Sequence, residues 1–295
     1  MSRPVAAMTG ATGGIGEELA AMLARDGWDL VLLARDMGRA NEVRERVASE
    51  APAASVDIVE ADLADRAALA EAARRVAADH PALHALFNVA GLLIPDHRRS
   101  PAGVDLNLEI NALAPIALTH ALADPLAAGA AERGRAVVVN VSSTATKVSG
   151  PLDVARLADP KKPGIFGAYG QSKLALTVAT KAMAPGFAKR GIELYAVDPG
   201  SNRTRMTASR AAPFFVRWMQ RFIPGPENGA AKLMVPLNRE WSGQAGALIV
   251  NGKARPIPKG ADAPDTIAAL EALLQRELGV GLAPEGGVVS EGGAT

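Results

Sequence analysis

The sequence contains no cysteine, no long apolar run and no excess of charge of one sign. Without cysteine the chain has neither disulfide bonds nor thiolate metal sites, and its four histidines form no ligand cluster, so no metal site is predicted. No apolar run reaches the roughly 18 residues of a membrane-spanning helix. The 32 basic and 31 acidic residues are well mixed, which argues against a nucleic-acid partner. Because the first residues, MSRPVAAMTG, also lack a signal-peptide pattern, we expect a soluble cytoplasmic protein.

Aromatic residues are also scarce, at 4% of the chain, and only two of them are tyrosines. One tyrosine, Tyr169, precedes Lys173 by four positions in the stretch AYGQSKLA (168–175). On a helix, residues with this spacing lie on one face, roughly 5–6 Å apart. The two residues are either an ordinary surface pair or a proton-transfer pair in which the ammonium lowers the pKa of the phenol. The pair alone does not decide between these interpretations.

Short apolar runs alternate with longer alanine-rich segments along most of the chain. Such alternation predicts βαβ units and a parallel sheet, and runs such as VLL and AVVV are typical of strands buried on both faces. We therefore predict an α/β fold, a doubly wound, Rossmann-type parallel sheet of seven strands in a single domain. The strands are predicted at 4–9, 29–34, 55–60, 85–90, 135–142, 192–198 and 247–250. The helices are predicted at 14–26, 37–50, 64–79, 104–128 and 265–278.

The regular alternation ends near residue 250. We predict a Rossmann-type catalytic domain over residues 1–250, in which the proline-containing residues 143–168 form an insertion loop. A C-terminal extension with one helix follows at 251–282, and the glycine-rich residues 283–295 are predicted to be disordered.

A glycine-rich loop, TGATGGIG (9–16), connects the first predicted strand to the first helix. Its glycines Gly10, Gly14 and Gly16 allow a tight turn and let backbone N–H groups approach an anion at the helix N-terminus. Glycines also occur in ordinary turns, but this position in a doubly wound fold is where a dinucleotide binds. We therefore predict a nucleotide site here, with Thr12 and Ile15 of the same loop also contacting the cofactor.

The glycine spacing, G-x-x-x-G-x-G, resembles that of the short-chain dehydrogenase/reductase superfamily, and further motifs follow in the order of that family. They are Asp62-Leu63 after the third strand, Asn88-Val89-Ala90-Gly91 after the fourth, Asn111 in EINALAP, Ser143 at the end of VVVNVSS, Tyr169 with Lys173, and Pro199-Gly200 with Thr204. Within the superfamily, the segments LLARDMGRA and YGQSKLA and the 26-residue gap from Ser143 to Tyr169 resemble the retinol-dehydrogenase-like members.

The resemblance implies an oxidoreductase that uses a nicotinamide cofactor. Tyr169 would be the general acid/base, and Lys173, together with the oxidised nicotinamide, would lower the pKa of its phenol and bind the ribose. Ser143 would hydrogen-bond the carbonyl oxygen of the substrate, and Asn111 would hold a water on a proton path. Cofactor contacts are also implied for Asp62, Leu63, Asn88, Ala90, Gly91, Pro199, Gly200 and Thr204.

Two positions near these motifs need separate interpretation: the choice of the catalytic serine, and a departure from relatives at Asp198. Ser142 competes with Ser143, but successive strand side chains point to opposite faces, and the family pattern favours Ser143. Relatives often carry asparagine or histidine where this chain has Asp198, and we attach no catalytic meaning to that departure.

The end of the second strand bears on the choice of nucleotide. NAD-specific enzymes of this fold have an acidic residue there to bind the ribose 2′-hydroxyl, whereas this chain has Ala34 followed by Arg35. Arg35 could bind a 2′-phosphate through charge-assisted hydrogen bonds, or it is simply an exposed arginine at a helix start. Many NADP-preferring relatives have a basic residue where this chain has Gly13, and Asp36 adds a negative charge unless it caps the helix. We expect NADP(H) to be preferred over NAD(H).

Residues 199–229, the region where relatives have a substrate lid, contain an aromatic cluster. Phe214, Phe215, Trp218 and Phe222 form one helical face with Met219. That face lines an apolar pocket, packs in the core, or contacts a membrane surface. All three interpretations are consistent with a hydrophobic alcohol or ketone as the substrate.

We therefore predict an NADP-dependent oxidoreductase that interconverts an alcohol and a carbonyl on a hydrophobic substrate. Two alternatives stay open: a biosynthetic isomerase or cyclase with little net use of the nucleotide, and a non-catalytic redox sensor. By resemblance, a homo-dimer or homo-tetramer is expected through the AYGQSKLA helix and its neighbour.

Overall fold

The computed structural model describes residues 2–94, 96–160, 165–200 and 224–284. Its centre is one sheet of eight strands in the order β3-β2-β1-β4-β5-β6-β7-β8. Neighbouring strands from β3 to β7 are parallel, and β8 is antiparallel to β7. The strands are β1 (Val5–Thr9), β2 (Asp29–Ala34), β3 (Val56–Glu60), β4 (Ala85–Asn88), β5 (Ala136–Val141), β6 (Ile192–Asp198), β7 (Leu248–Val250) and β8 (Lys253–Arg255).

Helices cover both faces of the sheet, which confirms the predicted doubly wound fold. They are α1 (Ile15–Arg25), α2 (Met37–Glu50), α3 (Arg66–Asp79), α4 (Leu106–Leu108), α5 (Ala114–Ala121), α6 (Ala123–Arg133), α7 (Gly170–Ala188), α8 (Pro226–Met234) and α9 (Pro264–Leu278). Asp36 and Asp65 cap α2 and α3 by accepting hydrogen bonds from backbone N–H groups of the first turn.

Two apolar cores lie on opposite sides of the sheet because successive strand residues point to opposite faces. In β1, Ala7 belongs to one core, while Ala6 and Met8 belong to the other. All six residues of β5 are buried, as expected for a central parallel strand with helices on both sides.

The eighth strand was not predicted from the sequence. β7 is followed by Asn251 and Gly252, which have φ angles of 51° and 70°. Two consecutive residues with positive φ form the turn type that suits a two-residue β-hairpin. This turn directs the three exposed residues of β8 back along β7.

The single helix predicted at 104–128 is divided in the structure. A π-helical turn, Glu109–Leu113, lies between α4 and α5. The physical reason is Pro115, because a proline has no N–H to donate to the carbonyl four residues earlier, which here is that of Asn111. The helix also continues further than predicted, since α6 ends at Arg133.

The C-terminal helix α9 packs against α7 and the π-helical turn. Arg66 joins these parts, because its guanidinium lies 3.0 Å from the buried carboxylate of Glu109 and 3.3 Å from that of Glu277 at the end of α9. Among the described residues, no helix is both long and apolar enough to cross a bilayer.

Candidate active site

The glycine-rich loop after β1 lies where the chain order of the sheet reverses, between β1 and β4. Gly10 has a φ of 73°, and a Cβ atom on it would lie 2.6 Å from the backbone nitrogen of Ala90. A Cβ atom on Gly16 would lie 2.0 Å from the carbonyl oxygen of Gly10. The loops after β1 and β4 can therefore meet this closely only with glycine at position 10, and the turn into α1 needs glycine at position 16. Ligands of doubly wound folds bind in the crevice at such a reversal.

The N-terminus of α1 is suited to an anion. Gly14 precedes the helix with a φ of 55° and, as a glycine, provides no side-chain cap for the first N–H groups. The acidic residues of the first turn, Glu17 and Glu18, lie 3.2 and 2.8 Å from the guanidinium of Arg46. Arg46 offsets their charge, so the residues present fit the diphosphate of a dinucleotide.

The end of β2 presents an arginine. Arg35 is exposed and makes no hydrogen bond or ion pair with another described residue. The carboxylate of Asp36 instead accepts a hydrogen bond from the backbone nitrogen of Arg39 at 3.1 Å and lies 3.4 Å from the Arg39 guanidinium. Asp36 is therefore a helix cap rather than a partner of Arg35.

The predicted contacts after β3 and β4 differ in where their side chains point. Asp62 and Leu63 are half-buried after the carboxyl end of β3. The Asn88 side chain points into the core and donates a hydrogen bond of 2.8 Å to Asn140. Only the backbone that follows Asn88 lines the crevice, where the Ala90 nitrogen donates to the Thr9 hydroxyl at 3.2 Å.

The two serines after β5 point in different directions, as the alternation predicts. Ser142 is buried, and its hydroxyl lies 2.8 Å from that of Thr177 on α7. Ser143 is half-buried and accepts a hydrogen bond from the Ala145 nitrogen at 3.2 Å, and its hydroxyl acts to lower the pKa of the Tyr169 phenol. Only Ser143 therefore reaches Tyr169.

Tyr169 stands immediately before α7, at the end of the π-helical segment Ile165–Tyr169. It is 9% exposed. Burial raises the pKa of its phenol, the hydrogen bond with Ser143 lowers it, and the negative charge of Asp198 raises it further, with a raised pKa as the net result. The lowering expected from Lys173 together with the oxidised nicotinamide therefore stays a prediction for the cofactor-bound protein.

Lys173 lies one turn further along α7 and is buried. Its Nζ donates a hydrogen bond of 2.8 Å to the carbonyl of Val141 at the end of β5. Burial lowers the pKa of Lys173 to about 8. The ammonium also faces the loop after β4, because a Cβ atom on Gly91 would lie 3.5 Å from it.

Asn111, inside the π-helical turn, ties that loop to α7. Its carboxamide accepts from the Leu92 nitrogen at 2.8 Å and donates to the Leu92 carbonyl at 2.7 Å. It also donates to the Ser172 hydroxyl at 3.1 Å. The side chain is thus committed to the protein, and we expect the water at the backbone carbonyl of Asn111, to which Pro115 cannot donate a hydrogen bond.

The turn after β6 closes this side of the crevice. Gly200 has a φ of 75°, and the Pro199 carbonyl accepts a hydrogen bond of 3.1 Å from Lys232 on α8. Thr204 and the aromatic cluster at 213–222 lie outside the described residues.

Two side chains near the site were not identified from the sequence. Asp198 is buried at the end of β6 and bonds both the Thr144 hydroxyl and the Gly200 nitrogen at 2.8 Å. Gln171 uses its carboxamide to hold the loop after Ser143 through the Ser149 and Pro151 carbonyls and the Asp153 nitrogen. Gln171 lies in the AYGQSKLA stretch and Asp198 directly precedes Pro199-Gly200, but the sequence assigned neither a role, and their tertiary contacts show what they hold.

Comparisons with known proteins agree with this geometry. The family model described as short chain dehydrogenase matches residues 4–213. The chain belongs to this family, and it is an oxidoreductase that uses a nicotinamide cofactor.

Within the family the chain is similar to retinol dehydrogenases. It is 30% identical to human retinol dehydrogenase 11 over 230 residues, covering 77% of this chain and 70% of that protein. It is 31% identical to mouse polyprenol dehydrogenase over 298 residues, covering 98% of this chain and 86% of that protein.

Solved structures share the fold at lower sequence identity. An uncharacterised protein from Mycobacterium paratuberculosis superimposes with a TM-score of 0.74 at 21% identity, over 95% of both chains. The NADPH-bound carbonyl reductase from chicken fatty liver has a TM-score of 0.67 at 24% identity, over 86% of this chain and 99% of that one. A Brucella melitensis 3-ketoacyl-(acyl-carrier-protein) reductase complexed with NADH has a TM-score of 0.65 at 22% identity, over 88% of this chain and 99% of that one. These similarities concern the fold alone, and the neighbours hold both kinds of nucleotide.

Proposed function

We propose that this protein is an NADP(H)-dependent oxidoreductase that interconverts an alcohol and an aldehyde or ketone on a hydrophobic substrate. The observation that carries the proposal is the grouping of Ser143, Tyr169 and Lys173 around the carboxyl end of β5. Ser143 is near enough to Tyr169 to lower the pKa of its phenol, and Lys173 donates a hydrogen bond to the carbonyl of Val141, the last residue of the strand.

Different residues of the crevice would bind different parts of the cofactor. The N–H groups at the start of α1 would bind the diphosphate. The Lys173 ammonium would bind the ribose next to the nicotinamide, and the Pro199–Gly200 turn would contact the nicotinamide itself. A nicotinamide bound in this crevice would supply the hydride for carbonyl reduction, or accept it in alcohol oxidation.

The protein residues move the proton. In carbonyl reduction, Tyr169 donates its phenolic proton to the carbonyl oxygen while Ser143 donates a hydrogen bond to the same oxygen. Burial and the charge of Asp198 raise the pKa of Tyr169, so the phenol holds its proton at neutral pH. In alcohol oxidation, Tyr169 accepts the proton. The Asn111 carbonyl holds the water through which the proton exchanges with solvent.

The preference for NADP(H) is supported by the end of β2. Ala34 offers no carboxylate to a ribose 2′-hydroxyl, and Arg35 is exposed and uncommitted among the described residues. Asp36 is engaged with Arg39. A guanidinium in this position binds a 2′-phosphate through charge-assisted hydrogen bonds.

A hydrophobic substrate is supported by the relatives and by the loops beside Tyr169. The relatives are named for retinol and polyprenol, which are long apolar alcohols. Val148 is 57% exposed in the loop after Ser143, and it is the large apolar side chain most open to solvent among the described residues.

The test is a steady-state assay of the purified protein with NADPH and NADH, followed at the nicotinamide absorbance with lipophilic aldehydes and ketones. We expect turnover with NADPH at lower KM than with NADH. Stoichiometric loss of NADPH with product distinguishes a reductase from an isomerase or cyclase, and binding of NADPH without turnover of any lipophilic carbonyl would contradict the proposal.

Arg35→Ser tests the nucleotide preference separately. Loss of a charge-assisted contact should raise the KM for NADPH by about ten- to a hundredfold and leave that for NADH unchanged. Arg39→Ser is the matched control, because Arg39 is equally exposed but already paired with Asp36. An equal rise of the KM for NADPH in both variants would show that the effect comes from the loss of positive charge in general and not from a specific contact of Arg35.

We also propose a cytoplasmic location, a homo-oligomeric state and a substrate-lid function for residues 199–229. Since α9 packs on α7, the helix assigned to the oligomer interface, light scattering with and without residues 264–295 would test the oligomer prediction.

A further inference from the structure

The C-terminal arm, residues 261–284, packs against α7 of the same chain. Its helix α9 has one apolar face, because leucines three and four positions apart lie on the same side of a helix. The leucines are Leu270, Leu273 and Leu274, and each is at most 2% exposed. They belong to the same apolar core as the buried apolar residues of α7. The arm is therefore part of the core of the protein.

The helix α7 is buried on all sides along its first half. Every residue from Ser172 to Thr180 is buried. Part of this helix meets the sheet, where Lys173 and Thr177 make their hydrogen bonds to the end of β5 and to Ser142. α9 covers a further part. A helix that is buried all round offers no surface to a second chain.

Polar contacts hold the arm before and after its leucines. Before α9, the carboxylate of Asp262 lies 2.6 Å from the ammonium of Lys181 on α7. At the end of α9, Arg66 donates hydrogen bonds to the main-chain carbonyl of Glu277 at 2.5 Å and to its carboxylate at 3.3 Å. The arm is thus tied to α7 at one end of α9 and to α3 at the other.

Beyond α9 the arm lies directly on α7 at Gly186. A Cβ atom on Gly186 would lie 3.0 Å from both the Cα and the Cβ atoms of Ala283. This distance is shorter than an ordinary contact between carbon atoms. The lack of a side chain at Gly186 therefore lets the arm pass this close to the helix.

We propose that the C-terminal arm takes, within one chain, the place of a second subunit on α7. The homo-oligomer expected from the resemblance was assigned to this helix, and the inference moves any interface between copies to another surface. It also goes beyond the proposed function. Because Lys173 lies on α7 and Tyr169 directly precedes it, a single chain supports the helix that carries both residues.

A disulfide between Gly186→Cys and Ala283→Cys tests which chain the arm covers. The protein has no cysteine of its own, and the Cβ atoms of a disulfide are about 3.8 Å apart, so a small outward shift of the arm allows the bond. We expect the oxidised double variant to migrate as a single chain in non-reducing electrophoresis and to lose two hydrogens in mass spectrometry. The two single variants are the controls and should give no covalent dimer.

Either of two other results would overturn the inference. A disulfide that joins two chains would show that the arm covers α7 of another copy. If the folded double variant forms no disulfide, the arm does not lie on α7 in solution.

The locked arm also tests the interface and the turnover. Light scattering should give the same mass for the oxidised and reduced double variant, since an arm already on α7 leaves nothing to block. An oligomer that dissociates on oxidation would show that copies pair through α7. Turnover of NADPH with a lipophilic carbonyl should likewise be equal in the two forms, and this readout rests on the proposed function. If the wild type shows no turnover, the proposed function fails, while the disulfide and the masses still decide the role of the arm.

Leu273→Asp provides a second test that needs no introduced cysteine. A buried carboxylate at this position should release the arm and expose the apolar surface of α7. We expect the mass in light scattering to rise about twofold or more, and trypsin to cut at Arg276 faster than in the wild type. Ala272→Asp is the matched control, because Ala272 is exposed on the same helix, and it should change neither property. An unchanged mass and cleavage rate in Leu273→Asp would contradict the proposed role of the arm.

Discussion

Two clusters, each composed of a tyrosine, a cation and a carboxylate, lie near opposite ends of strands β5 and β6. One cluster, at the carboxyl ends, consists of Tyr169, Lys173 and Asp198. The other, toward the amino ends, consists of Tyr195, Arg135 and Glu193. The same three side-chain types serve different purposes in the two clusters, and the difference lies in how many of their hydrogen bonds the protein uses itself.

In the amino-end cluster the groups satisfy one another. Glu193 accepts from Arg135 at 2.6 Å, from Tyr195 at 3.0 Å and from the Gly243 nitrogen at 2.7 Å. Arg135 also donates to three successive carbonyls, those of residues 236–238. Burial and then the charge of Glu193 raise the pKa of Tyr195 far above its usual value. Such a network stabilises the fold and has no group ready for a ligand.

In the carboxyl-end cluster the groups are incompletely used. Lys173 has three N–H donors, and one of them binds the Val141 carbonyl. Within the parts of the chain that the structure describes, Nζ has no second hydrogen-bond partner. The two remaining N–H donors indicate a ligand-binding site, because burying an ammonium group costs free energy unless its hydrogen bonds are made.

The largest difference should appear on removing each phenol. Tyr169→Phe should lower kcat by about a hundred- to ten-thousandfold, because it removes the acid/base. Tyr195→Phe should leave kcat unchanged and lower the free energy of unfolding by about 1–3 kcal/mol. Steady-state kinetics and urea denaturation of both variants measure the two effects. Equal losses of kcat in the two variants would contradict the distinction between a catalytic cluster and a structural one.

The adjacent serines should differ nearly as much. Ser143→Ala should lower kcat by about a hundred- to a thousandfold through loss of the hydrogen bond to the reacting oxygen. Ser142→Ala should instead destabilise the fold by about 1–3 kcal/mol, since its partner Thr177 is buried. Steady-state kinetics and urea denaturation again measure the two effects. A large loss of kcat in Ser142→Ala with a normal denaturation curve would show that Ser142, and not Ser143, bonds the reacting oxygen.

The two cations should separate affinity from stability. Lys173→Met should weaken NADPH binding by about ten- to a hundredfold in a fluorescence titration. Arg135→Met should bind NADPH normally but lose about 3 kcal/mol of stability, because Glu193 is left without its partner. Normal NADPH affinity in a folded Lys173→Met variant would argue that its donors do not reach the cofactor.

The smallest expected effect concerns the loss of stability at acid pH. Burial acts to raise the pKa of Glu193, but the hydrogen bonds from Gly243, Arg135 and Tyr195 outweigh it, and the net pKa is lowered. A carboxylate with a lowered folded-state pKa contributes stability that is present above its ordinary value of 4.5 and is lost as the pH falls below it. Glu193→Gln should therefore flatten the dependence of unfolding free energy on pH in this range. An unchanged slope would contradict the lowered pKa.

Much of the fold could be predicted because local patterns determine it. The predicted bounds of β2 and β6 coincide with the observed ones, and so do those of α2. Apolar runs of strand length and helical periodicity are short-range signals. The strand β8 was missed because its three residues are exposed and carry no apolar pattern, although the Asn251–Gly252 turn signal was present.

The candidate site was predictable in part. Motif order identified Tyr169, Lys173 and Ser143, and the two-residue period of a strand separated Ser142 from Ser143. The environment of these residues could not be predicted, since the raised pKa of Tyr169 depends on burial and on Asp198, 29 positions along the chain. The commitment of the Asn111 side chain to Leu92 likewise requires the tertiary structure.

The antiparallel strand β8 also affects how molecules of this protein meet one another. A sheet that ended at β7 would present the unpaired backbone of the buried residues Leu248–Val250 to other chains, which is a template for aggregation. β8 covers that backbone, and its exposed Lys253 and Arg255 place two like charges at the new edge. Deleting this short hairpin arm should therefore promote edge-to-edge aggregation, although β8 is separated in the sheet from β5 and β6 by β7.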